Sequence, residues 1–181
     1  MQIATFAGGC FWCTEAIFKR LKGVITVTSG YAGGIGDDPS YEEVSTGNSG
    51  FAEAVQIKFF PRVISYEHLL DIFWVIHDPT TLNRQGFDVG TQYRSAIFYL
   101  NERQKKTAEE SKKKIEKMGH SDGKIVTEIK PLRKFFPAED YHQNYYDRNK
   151  GLNRYCLLVI DPKIEKLLEM FNKDVKEEYF G

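Results

Sequence analysis

The spacing of hydrophobic and polar positions changes several times along this chain, and each change marks an element. Ile3-Ala4-Thr5-Phe6-Ala7 is a short apolar run that predicts a buried strand. After Gly8-Gly9 the period lengthens. Apolar side chains recur at Ile17, Phe18 and Leu21, Glu15 falls in the first turn, and Lys19, Arg20 and Lys22 lead to a stop at Gly23. That pattern predicts a helix. Val24 to Tyr31 is rich in β-branched residues and predicts a second strand, and Tyr41 to Val44 a short element. Phe51 to Phe59 alternates, with Phe51, Glu53, Val55, Ile57 and Phe59 on one face and Ala52, Ala54, Gln56 and Lys58 on the other.

Pro61 breaks that strand, and Ser65 is placed to cap a helix to about Ile76, with Leu69, Leu70, Ile72, Phe73 and Trp74 on its apolar face. A polar stretch then runs through Asn83 to Tyr93; ordered connections of that length are usually functional. Ser95 to Leu100 predicts a strand. Asn101 caps a helix from Glu102 to about Met118, whose lysines make a solvated face, and Ile125 to Ile129 predicts another strand, closed by Pro131. A short helix is expected after Pro137. Cys156 opens an apolar stretch to Ile160, and Pro162 starts a terminal helix through Phe171. No repeat, low-complexity tract or linker divides the order β-α-β-β-α-β-α-β-α. The expectation is one domain over residues 1–181, of α+β class, a two-layer sandwich with helices on an antiparallel or mixed sheet.

Charge narrows the partners. Lysine plus arginine and aspartate plus glutamate each number 25, and zero net charge argues against nucleic acid or an anionic membrane as the main partner. No apolar run approaches membrane-spanning length, and no secretory signal precedes residue 10. Three cysteines do not make a disulfide-stapled scaffold, so a reducing cytoplasm is expected, where any disulfide would be transient. The cysteines and histidines show no paired ligand spacing beyond one Cys-x-x-Cys, so no metal is expected.

The chemistry concentrates in Gly8-Gly9-Cys10-Phe11-Trp12-Cys13-Thr14-Glu15. Strand, Gly-Gly turn, then cysteine at a helix start places a thiol beside unpaired N–H groups and a positive dipole end, which favour thiolate. Cys10 is therefore read as a nucleophile. Phe11 and Trp12 either anchor the core or wall an apolar pocket around the attacked group. Glu53 falls on an apolar face, where a carboxylate is costly unless paired or protonated. The Gly-rich loop from Ser29 to Gly36 superficially looks like a phosphate cradle, but it lacks the Gly-Lys-Ser/Thr ending and opens no periodic helix.

Four blocks, read together, resemble a known family. Gly8 to Glu15, Ser29-Gly30-Tyr31-Ala32-Gly33-Gly34, Pro39-Ser40-Tyr41-Glu42-Glu43-Val44 and Asp88-Val89-Gly90-Thr91-Gln92-Tyr93-Arg94-Ser95 are similar to the signature blocks of the A-type peptide methionine sulfoxide reductases. The resemblance runs in order from about Ile3 to about Ile160. It implies a ferredoxin-like core with additional helices and long active-site loops, and reduction of methionine S-sulfoxide, free or in proteins. Cys10 would attack the sulfoxide sulfur and become a sulfenic acid. Glu53, held protonated, would supply the proton, and Tyr41 and Tyr93 would hydrogen-bond the sulfoxide oxygen. Phe11 and Trp12 match the methyl pocket, Asp88 a positioning role, and His142 and Tyr146 a similarly placed aromatic segment.

Two resolving thiols are open. Cys13 makes the Cys-x-x-Cys, but side chains three apart on a helix have Cβ atoms ~5–6 Å apart, whereas a disulfide needs ~3.5–4.5 Å. Closure is easy only where Cys10 sits at the very start of the helix. Cys156, after Tyr155, resembles the distal resolving cysteine of the family and is favoured, although an apolar stretch replaces the Gly-rich tail there. Thioredoxin or another dithiol would reduce the product, with no cofactor, and the chain is expected to act as a monomer. Two other readings compete. One is a thioredoxin-like dithiol exchanger using Cys10 and Cys13; the other is a sulfoxide- or apolar-peptide-binding module that lost turnover.

Overall fold

The computed structural model describes residues 1–119 and 123–180. In chain order the elements are β1 (Gln2–Gly8), α1 (Phe11–Lys19), β2 (Val24–Ala32), α2 (Tyr41–Ser45), β3 (Ala52–Phe59) and α3 (Tyr66–Ile76). A two-stranded hairpin, β4 (Arg84–Gln85) and β5 (Asp88–Val89), follows. Then come β6 (Ser95–Tyr99), α4 (Glu102–Met118), β7 (Glu128–Pro131), β8 (Phe135–Pro137), α5 (Tyr145–Asn149) and α6 (Asp161–Phe171).

The main sheet has the order β7-β6-β1-β3-β2-β8. Its central four strands, β6-β1-β3-β2, are antiparallel throughout, with α1 between β1 and β2 and α3 between β3 and β6. That is the split β-α-β arrangement of a ferredoxin-like core. Among the described residues, only β6 and β7 pair in parallel. Side-chain alternation sets which face is thick. Phe6, Val55, Ile57, Phe59 and Ile97 point into a large core shared with α1 and α3, including Ile17, Phe18, Leu69, Leu70 and Phe73. The opposite face carries alanines, Ala7, Ala32, Ala52, Ala54 and Ala96, under Phe98, Leu132 and Phe135. The alternation read between residues 51 and 59 is thus realised, and it puts Glu53 on the thick face.

Several boundaries differ from expectation for local reasons. The first helix ends at Lys19, because Arg20 and Leu21 close a tight turn on the Ile17 and Phe18 carbonyls before Gly23 takes φ +81°. The strand expected at 125–129 pairs only over Glu128–Pro131; Ile125 is buried instead, and the Val126 N–H donates to the Pro79 carbonyl. The polar stretch after α3 folds into the β4–β5 hairpin. The edge of β2 is sealed by β8 and by Gln143, whose side chain accepts from the Ser29 N–H and donates to the Ser29 and Ala138 carbonyls. Among the described residues, no helix is long and apolar enough to cross a membrane.

The last quarter of the chain is tied to α1 by polar contacts. Glu15 accepts from the Asn144 N–H at 2.8 Å, Lys19 reaches Asn144 and Asp147, and Arg20 reaches Asp147 at 2.9 Å. Beyond it the helical backbone widens into a π turn over Cys156–Ile160. Pro162, in the first turn of α6, has no N–H and would crowd the carbonyl four residues back, and a wider turn relieves both.

Gly9 shows how tightly the turn before Cys10 is fitted. Its φ is +96°, and a Cβ there would lie 2.6 Å from Cγ of Gln85 in β4. Gly9→Ala is expected to cost about 1–3 kcal/mol, read as a lower midpoint in denaturant unfolding; an unchanged midpoint would contradict this packing.

Candidate active site

Cys10 is the N-cap residue of α1, with φ −56° and ψ 127°, so its backbone is outside the helix. Its carbonyl accepts from the N–H groups of Cys13 and Thr14, at 3.1 and 3.4 Å, and opens the first turn. Glu53 stands on the neighbouring strand, and its Oε2 accepts from the Phe11 N–H at 3.0 Å. The first free donor of α1 is therefore aimed at Glu53. Both side chains are buried, and the Cys10 thiol and the Glu53 carboxyl hydrogen-bond each other. The two groups on which the sequence reading depends are in contact.

Electrostatics decide their protonation. Burial pushes the Glu53 carboxyl up to about 8, against the Phe11 N–H, which pulls it down; Asp88 and Cys13 add to the rise. Glu53 is thus a neutral acid at pH 7. Cys10 behaves differently from the sequence expectation. The helix start was expected to favour its thiolate, but burial first of all raises the thiol well above its ordinary range, with Cys13 and Glu53 contributing. The reason is geometric: the α1 donor goes to Glu53, and the Cys10 side chain caps no N–H. Cys13 moves the opposite way, to about 7, chiefly because Cys10 hydrogen-bonds it.

The raised Glu53 carboxyl has a consequence for stability. Its folded value, about 8, exceeds its ordinary 4.5, so its contribution is fully present below pH 4.5 and lost as pH rises through about 8. The unfolding free energy, read from denaturant titrations, is expected to fall across that window by a few kcal/mol, and Glu53→Gln to flatten the decline. An equal slope in the variant would contradict the assignment.

Aromatic side chains enclose the pair. Phe11 is fully buried with its ring 5.8 Å from Tyr31, whose Cα lies opposite Glu53 in the β2–β3 register. Trp12 is half-buried, stacks on Tyr145 at 3.7 Å and meets the Tyr155 ring edge-on at 5.9 Å. The rings of Tyr41, on α2, and Tyr93, at the end of the turn after β5, are partly exposed. Burial raises both phenols, and the charge of Glu53 is the next cause for each, which puts them beside the acid. Both stay protonated as hydrogen-bond donors.

Asp88 sits on the hairpin, and its Oδ2 accepts from the Tyr155 hydroxyl at 2.7 Å. The same hydroxyl is 3.8 Å from the Cys13 sulfur. His142 is buried, and its Nδ1 accepts from the Trp12 indole N–H at 3.1 Å. Burial lowers its basicity, so a neutral ring orients Trp12. Tyr146 makes other contacts: its hydroxyl donates to Asp161 at 2.6 Å and its ring lies under the Arg20 guanidinium. Its neighbour Tyr145 is the residue stacked on Trp12. Cys156 is fully buried in the π turn.

Four residues were given no role by the sequence reading: Tyr31, Glu139, Tyr145 and Tyr155. Glu139 accepts from the Tyr31 hydroxyl and the Tyr41 N–H, at 2.7 and 2.8 Å, and so joins β2 to α2 behind the site. Tyr31 carried a signal because it belongs to one of the four quoted blocks, and Tyr155 because it precedes the family-like Cys156. The described residues hold no group of three or more His, Cys, Asp or Glu that could bind a metal.

Comparison with known proteins agrees with this geometry. Residues 2–176 match the family profile described as peptide methionine sulfoxide reductase. The peptide methionine sulfoxide reductase MsrA of Saccharolobus solfataricus is 56% identical over 97% of this chain and 98% of its own. Among solved structures, reduced Mxr1 from Saccharomyces cerevisiae superimposes with a TM-score of 0.76 at 38% identity, covering 83% of this chain and 86% of that one. Mxr1 in complex with Trx2 superimposes with a TM-score of 0.55 at 29% identity, covering 80% and 84%. The chain belongs to the peptide methionine sulfoxide reductase family.

Proposed function

We propose that this protein reduces methionine S-sulfoxide, free and within proteins, to methionine, and so repairs oxidised chains. The observation that carries the reading is the contact between a buried thiol, Cys10, and a carboxyl kept neutral to about pH 8, Glu53. In the reaction the Cys10 sulfur attacks the sulfoxide sulfur while Glu53 gives its proton to the oxygen. The proton of the Cys10 thiol then replaces the one Glu53 has given. The S–O bond breaks, methionine leaves, and Cys10 holds the oxygen as a sulfenic acid. Tyr41 and Tyr93 donate hydrogen bonds to the oxygen as it gains negative charge. Phe11 and Trp12, the latter set by His142, receive the methyl group. Asp88 positions the neighbouring side of the site, and Tyr146 supports it from the Asp161 side.

A second thiol, Cys13 or Cys156, condenses with the sulfenic acid to a disulfide and water. Thioredoxin or another dithiol then restores the thiols, with no prosthetic group required. A solved relative crystallised with Trx2 supports that partner. The reading includes a monomer and one catalytic domain over residues 1–181. A reducing compartment such as the cytoplasm suits thiols that must be regenerated at every cycle.

Supplying the S and R epimers of a methionine sulfoxide peptide separately, with excess dithiol, tests the reading. The S epimer is expected to be consumed and the R epimer left; consumption of neither would overturn it. A thioredoxin-like exchanger would instead need both Cys10 and Cys13 and no sulfoxide, and the neutral acid beside Cys10 favours the reductase over it.

A further inference from the structure

Cys13 is the unusual member of this site, because two groups meet on its sulfur and one of them is anchored by a third. It hydrogen-bonds the Cys10 thiol, and it lies 3.8 Å from the Tyr155 hydroxyl, which is itself fixed by donation to Asp88 at 2.7 Å. Tyr155 comes from the segment before the π turn, Asp88 from the hairpin and Cys13 from α1, so three separate elements converge there. We propose that Tyr155, anchored by Asp88, is the positioning residue for Cys13, and that Cys13 is the thiol that resolves the oxidised Cys10. This rests on the reductase reading above.

The backbone makes closure feasible. Because Cys10 is the cap residue with an extended ψ of 127°, its side chain is free of the helical spacing that holds residues three apart at ~5–6 Å. Cys156 has no such freedom. It is fully buried with its backbone inside the π turn, and reaching Cys10 would require that turn to unwind. In the step, the Cys13 sulfur attacks the sulfur of the Cys10 sulfenic acid and the S–S bond forms as the S–O bond breaks. Hydroxide leaves, takes the proton lost by Cys13, and departs as water. The Tyr155 hydroxyl gives its proton to Asp88, so its oxygen accepts from the Cys13 S–H and holds the attacking sulfur in place until that proton is lost. The other ionisable groups bearing on Cys13 are Cys10, Asp88, Lys163, Glu53 and Cys156.

Single turnover of the full chain with methionine S-sulfoxide peptide, reductant withheld, tests this. Methionine release and thiol loss are followed on separate clocks, and the disulfide is mapped by mass. The expected link joins Cys10 to Cys13, leaving Cys156 alkylatable after denaturation. In Tyr155→Phe, which keeps the ring against Trp12, disulfide formation is expected to slow about tenfold or more relative to methionine release. Its pH midpoint should also move downward, because the hydrogen bond accepted from the Cys13 S–H is lost. A Cys10–Cys156 link, or an unchanged ratio and midpoint in Tyr155→Phe, overturns the proposal while leaving the reductase reading intact. Absence of any methionine from the parent protein overturns both.

Discussion

Replacing Cys10 with serine is expected to abolish methionine formation, lowering kcat/KM by about 10⁴-fold or more. Serine keeps the size and the hydrogen bond but has a far weaker nucleophile, and nothing else at the site can take its place. Cys13 lies one turn inside α1 behind Cys10, and Cys156 is sealed in the π turn. Stability should change little, because the buried Cys10 side chain caps no helix N–H and serine can still hydrogen-bond Glu53. Steady-state turnover of the peptide sulfoxide, with folding checked by the denaturant midpoint, reads both quantities. Retention of even a tenth of the parent rate would remove Cys10 from its role, and would also favour the competing view of a binding module with incidental activity.

Glu53→Gln is expected to lower kcat by about 10²–10⁴-fold, the range for loss of general acid catalysis. Glutamine can still accept from the Phe11 N–H, so the α1 donor remains paired and the fold is kept. What it lacks is a transferable proton. The pH profile gives the sharper test. In the parent, Glu53 is protonated below about 8 and donates; above that value it is a buried anion, which also repels negative charge growing on the sulfoxide oxygen. Activity should therefore decline as pH rises through about 8, and that limb should be missing from the residual activity of the glutamine variant. An identical alkaline limb in both proteins would assign it to some other group.

The balance between burial and the helix terminus is the main physical lesson of the site. A single N–H at the start of α1 cannot serve two acceptors, and the chain gives it to Glu53. Even so, desolvation prevails, and the acid remains neutral at physiological pH. Cys10, left without that donor, rests as a thiol, and its activation belongs to the encounter with substrate, when the Glu53 proton leaves and the thiol proton can follow.

How much of this was legible beforehand depended on the range of the interaction. Strand alternation put Glu53 on the thick face of the sheet, because period-two patterning is a local property of eight or nine residues. The caps Ser65 and Asn101 were read for the same reason, and each does accept from the N–H three residues on. The protonation of Cys10 was not legible, because it depends on which residue, 42 positions away, claims the N–H of Phe11. Nor was the roof of the pocket. Tyr145 and Tyr155 are brought over Trp12 by contacts between α1 and the last quarter of the chain, such as Glu15 with Asn144 and Arg20 with Asp147. Spacing alone could not separate Tyr145, stacked on the indole, from Tyr146, turned to Asp161. The hairpin within the polar stretch was missed because two-residue strands have too few positions to show a period.

The claim on which the rest stands is that oxygen passes from the substrate sulfur to Cys10 with Glu53 as proton donor. It is tested most directly in a chain carrying Cys13→Ser and Cys156→Ser, mixed with excess methionine S-sulfoxide peptide at pH 7 without reductant. The prediction is one methionine released per chain, with a single added oxygen located at Cys10 by mass and trapped there by dimedone. Methionine produced without any oxidation of Cys10, or oxygen found on another residue, would contradict it.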